Sequence, residues 1–90
     1  MKWVTMTSPL PNMGIWGAGD YPYSFIITEE RDKLTGDDWL GFHASWKDAR
    51  LDMTPHGAQP SNKIDGAPFR TLEDAKAACE ATLMMLRRKQ

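Results

Sequence analysis

The side chains best suited to chemistry are one cysteine, two histidines and several adjacent carboxylates. A catalytic Cys79 would need its thiolate held by a neighbouring base or cation. Cys79 instead falls on the apolar stripe of a helical pattern, where burial raises the thiol pKa and leaves a small hydrophobe. His43 lies in a strand-like run and His56 in a Pro/Gly-rich stretch. Neither has a second ligand at metal spacing, such as a histidine four residues on or a CxxC pair. Asp52 and His56 make one Asp/His pairing among the many that 12 acids provide. Glu29-Glu30 and Asp37-Asp38 would serve acid–base catalysis only from distinct environments across a cleft. Flanking a hairpin turn, they read as solvated turn residues. Gly14, Gly17 and Gly19 precede a strand, whereas a phosphate-cradling loop lies between a strand and a helix N-terminus. The expectation is a non-enzyme with no catalytic residue, no cofactor and no metal site.

Binding is the remaining class, and charge placement suggests where. Residues 20–52 hold eight acids against four bases; the residues after Asp52 hold six bases against four acids. The hairpin end is therefore acidic and the helix end mildly basic. Such a surface suits docking on a basic partner, including one built to hold nucleic acid. The candidate partner-binding residues are Trp16, Glu29, Glu30, Asp32, Asp37, Asp38, Trp39 and His43, and the expected partner is a host protein or ribonucleoprotein. The competing reading is a single-stranded nucleic-acid-binding module. In it Trp39 stacks on bases, while Lys47, Arg50 and the tail Arg87-Arg88-Lys89 grip phosphates. Acids at both ends of the hairpin turn oppose it, and no RNP-like aromatic motif is present.

The elements that would position these residues follow from periodicity. Tyr23, Phe25 and Ile27 alternate with Ser24, Ile26 and Thr28, which predicts a strand over 21–29. Leu40, Phe42, Ala44 and Trp46 alternate with Trp39, Gly41, His43 and Ser45, which predicts a second over 38–47. A polar stretch containing Gly36 joins them as an antiparallel hairpin. Residues 2–7 suit a short strand. Residues 8–20, with two prolines and three glycines, read as an irregular connection in which Trp16 is either a lid on the core or a contact residue. Residues 48–68 read as a second long loop, with a short strand hidden near Lys63–Ile64 or Phe69–Arg70. A helix over 71–88 is the best-signalled element. Thr71 is a good N-cap, Glu73 and Asp74 face the positive end of the dipole, and Arg87, Arg88 and Lys89 face the negative end. Its buried stripe is Leu72, Ala75, Cys79, Thr82 or Leu83, and Leu86.

The expected fold is α+β: a small antiparallel sheet of three to four strands with one C-terminal helix packed on one face. Ninety residues with 41% hydrophobic and 26% charged side chains fit a single domain spanning residues 1–90. One cysteine excludes an internal disulfide, and a net charge of −1 argues against non-specific attraction to nucleic acid or an anionic membrane. Thr5, Thr7, Ser8 and Pro9 interrupt any signal-like apolar run, and no stretch is long enough to span a bilayer, so a cytoplasmic location is expected.

The segment Phe69-Arg70-Thr71-Leu72-Glu73-Asp74-Ala75-Lys76-Ala77-Ala78-Cys79-Glu80-Ala81 resembles a recurrent ending of short phage and prophage proteins, in which a Trp/Tyr-rich antiparallel sheet precedes a "TLEEAKAA"-type helix. That resemblance covers about the last quarter of the chain closely and the hairpin loosely. It implies a small accessory protein that works by binding, as anti-CRISPR inhibitors do.

Overall fold

Alternating apolar residues on the central strands set the architecture. The computed structural model describes residues 1–7, 13–31, 39–51 and 61–89. Among these, five strands form one antiparallel sheet in sequence order: β1 (Val4–Met6), β2 (Ile15–Asp20), β3 (Tyr23–Arg31), β4 (Trp39–Asp48) and β5 (Asn62–Lys63). One helix, α1 (Leu72–Arg88), follows and packs on β3 and β4. This is the expected α+β arrangement, with a wider sheet than three to four strands.

The register assigns each paired strand residue to a face, because directly paired residues point the same way. Trp16, Ile27 and Ala44 form one row, and Ala18, Phe25 and Trp46 the next. These rows face α1, whose Ala75, Cys79 and Leu83 are buried against them. Phe25, Ile27 and Cys79 are the largest fully buried side chains. Burial of one such side chain contributes roughly 1.5–3 kcal/mol. The helix begins as the sequence predicts. The Thr71 Oγ1 accepts a hydrogen bond from the Asp74 amide at 3.0 Å, which satisfies one of the otherwise unpaired first-turn donors. Of the expected stripe, Ala75, Cys79 and Leu83 are buried and Leu72, Thr82 and Leu86 half-buried.

Three expectations need correction. The connection over 8–20 is not irregular throughout, because Ile15–Asp20 is strand β2, paired with both β1 and β3. Gly17 sits there because a neighbour comes close: a Cβ would lie 2.7 Å from the Met6 Sδ. Asp20 pairs with Tyr23, so Tyr21-Pro22 is the turn between β2 and β3, and the central hairpin strands start and end later than predicted. Leu40 is not on the helix-facing row. A bulge at Glu30/Arg31 breaks the alternation of β4, and Leu40 emerges 53% exposed. The short strand expected near Lys63–Ile64 is β5, at Asn62–Lys63. The same edge of β4 continues through Ile64, whose amide donates to the Ala44 carbonyl at 3.0 Å, and through Phe69, paired with Phe42.

Candidate binding surface

Strand alternation separates the predicted site residues at once. Glu29 and Glu30 are sequence neighbours, so they point to opposite faces of β3. Glu29 lies in the row of Phe42 on the helix side. Its Oε1 accepts from the Gly14 amide at 3.4 Å, and its Oε2 lies 3.6 Å from the Arg31 guanidinium. Glu30 faces the open side, where its Oε1 accepts from the Thr28 hydroxyl at 3.5 Å. The two carboxylates therefore cannot act on one substrate.

Trp16 does not sit in a loop. It is a half-buried residue of β2 on the helix side, packed against the core with its ring 5.7 Å from that of Phe42. The lid reading describes it better than a free contact residue. His43 is exposed on the open face, opposite Thr28. Trp39 opens β4 opposite Arg31, and its side chain lies outside the described part of the structure. Asp32, Asp37 and Asp38 lie outside the described residues, as do Asp52 and His56.

The open face brings together residues that the sequence keeps apart. A groove of about 490 Å³ runs over β3, β4 and the start of β5. Ile26 and Leu40 give it apolar surface, and Glu30, His43 and Lys63 give it charge and hydrogen-bonding groups. Towards the β1 edge the same face carries Val4, Met6 and Ile15; Val4 is 53% and Met6 44% exposed. Solvent-facing positions of an antiparallel sheet are ordinarily polar. Here aliphatic side chains take five of them. Among the described side chains no Trp, Tyr or Phe lies on this face; Trp3, Trp16, Phe42 and Trp46 all pack towards the core.

Other polar groups are committed elsewhere. Asp48 is buried at the far end of β4. Its Oδ1 accepts from the Arg50 amide at 2.9 Å and from the Arg50 Nε at 3.0 Å, and its Oδ2 from the Nη2 at 2.8 Å. The hydrogen bonds from the Arg50 side chain hold the Asp48 carboxyl below its ordinary range, and the carboxylate in turn pushes the Arg50 guanidinium up. Arg50 also lies over the Tyr23 ring, 5.7 Å from its centroid. Arg87 pairs with Asp20. Two of the cations that a phosphate-gripping role would use are thus engaged within the chain. Cys79 is fully buried and its thiol is pushed up to about 12 by desolvation, the environment of an inert cysteine. Among the described residues no three His, Cys, Asp or Glu side chains come together as a metal site. Among them, too, no helix is long and apolar enough to cross a membrane.

What fold and surface define is a small α+β domain with one sheet face covered by a helix and the other, among the described residues, open. No protein-family model, no curated protein and no solved structure matches the chain.

Proposed function

We propose that this chain is a non-catalytic binding protein that docks on another protein through the open face of its sheet, at the hairpin end. The observation that carries this reading is the set of aliphatic side chains at solvent-facing strand positions, with Leu40 turned outward beside Glu30 and His43. A contiguous exposed apolar patch rimmed by polar groups is the usual mark of a protein contact. The acids Asp32, Asp37 and Asp38 belong to the chain segment between Arg31 and Trp39 and add negative charge to that end. A basic surface on a host protein or ribonucleoprotein is the matching partner. The resemblance of the helix segment to phage accessory proteins extends the proposal to an inhibitor of the anti-CRISPR kind.

Nucleic-acid binding ranks below this reading. Lys47 and Lys63 lie on the open face, but a single-strand platform needs rings on which bases stack, and among the described side chains that face has none.

The test is capture from a bacterial lysate by the tagged chain and three variants. Leu40→Lys and Asp37→Lys/Asp38→Lys should each lose the captured partner. Met84→Lys, on the exposed side of α1, should keep it. Capture indifferent to Leu40 and to the two aspartates would overturn the proposal. Salt-dependent binding to an oligonucleotide would favour the nucleic-acid reading instead.

A further inference from the structure

The open face carries a charge pattern that complements itself. At one end of it Lys47 stands on β4 beside Ser24 of β3; at the other end Glu30 stands on β3 beside Gly41 of β4. Between them run two cross-strand rows. Val4, Gly17, Ile26, Ser45 and Lys63 form one, and Met6, Ile15, Thr28 and His43 the other.

We propose that a second copy of this chain covers the face, in a sheet-on-sheet dimer whose two-fold axis lies between the sheets and perpendicular to the strands. This axis turns each strand end for end over its mate. Val4 then lies over Met6 of the other copy, apolar on apolar, with Ile26 over its Thr28 and Ser45 over its His43. Each Lys47 comes over the Glu30 end of the other copy, so the interface has two equivalent ion pairs, as an isologous contact requires. The alternative axis, along the strands, sets Glu30 over Glu30 and Lys63 over Val4. Charge therefore selects the first arrangement.

The face is also low enough to stack. Met6 lies over Gly17, its sulfur 2.7 Å from where a Cβ would be, and sheets pack about 10 Å apart. From strand spacing and residue rise the face covers roughly 500 Å² per copy. Both copies together would bury about 1,000 Å², the lower edge of specific interfaces, which fits a weak, reversible dimer. The inference rests on the proposed binding role of this face and states what covers it when no other partner is bound.

Sedimentation equilibrium of the full chain from about 1 μM to about 1 mM tests it. The expected result is a concentration-dependent dimer. Lys47→Glu alone and Glu30→Lys alone should each weaken it about tenfold, and the double swap Lys47→Glu/Glu30→Lys should restore it. Ser24 and Glu30 are six residues apart on β3, so Lys47 and Glu30 of one chain are separated by about 20 Å and the rescue cannot arise within a chain. Met6→Glu, at an exposed position, should also split the dimer while circular dichroism stays unchanged. A monomer throughout the range, or a double swap no better than either single change, overturns the proposal. A monomer that still captures a partner through Leu40 removes the dimer alone. A dimer without Leu40-dependent capture removes the proposed function alone.

Discussion

The Asp48 carboxylate is gripped by the Arg50 side chain through both of its oxygens, at 3.0 and 2.8 Å. A two-point contact of this kind holds the end of β4 against the following turn, where the Ala49 amide also donates to the Pro22 carbonyl at 2.8 Å. Because the folded-state pKa of Asp48 is depressed, its contribution is fully present above its unfolded value of 3.8 and is lost as pH falls below that. Stability should therefore be flat from neutral pH down to about 5 and then fall. Asp48→Asn should lower the melting temperature at pH 7 and show a shallower decline below pH 4. Thermal melts of both proteins across this range measure it; parallel curves would remove Asp48 from the acid transition.

Gly41 makes the bulge that turns Leu40 outward. Its φ is +120°, and a Cβ would lie 2.6 Å from the Pro68 Cβ and 3.1 Å from the Phe69 carbonyl oxygen. Gly41→Ala should cost about 1–3 kcal/mol through backbone strain and displacement of the 68–69 segment. Urea denaturation gives the energy. The same substitution should impair any contact made by Leu40, so loss of stability with binding intact would mean that the bulge does not position that residue.

The sequence made β3 and α1 legible for local reasons. Tyr23, Phe25 and Ile27 alternate without interruption, and Thr71 announces the helix with its own cap. β2 was hidden because Gly17 and Gly19 read as punctuation; what makes them strand residues is the approach of Met6 and the pairing to β1 and β3, which no local pattern encodes. Leu40 was misplaced because alternation assumes an unbroken ladder. The open-face groove was almost illegible. It exists only because β5 returns to β4 and sets Lys63 on the face that carries His43 and Glu30. The clue available was Ile26, an apolar residue on the strand face opposite Tyr23, Phe25 and Ile27.

Cys79 should be unreactive while the chain is folded. Its thiol is fully buried and pushed up to about 12. Labelling by a thiol reagent at pH 8 should be slow in buffer and fast in denaturant. The raised pKa also has a stability consequence. The folded state holds the proton more tightly, so this contribution is lost as pH rises above the unfolded value of 9.0 towards 12. Wild type should lose stability over that window faster than Cys79→Ala. Matching curves would show that the thiol does not ionise on unfolding.

Trp16 gives the sharpest distinction between a packing role and a binding role. It pairs with Thr5 and Ile27, faces the helix side and stacks at 59° against Phe42. Truncating a half-buried aromatic of this kind removes both buried area and a ring contact, so Trp16→Ala should destabilise the chain by about 2–3 kcal/mol. That is a large share of the roughly 5–15 kcal/mol that holds a small domain together. Because the side chain points away from the open face, a folded Trp16→Phe variant should keep any partner that wild type captures, and Leu40→Lys should not. Equilibrium denaturation and the capture experiment, run on the same two variants, separate the roles. A stable Trp16→Phe that loses the partner would move the contact surface to the other side of the sheet.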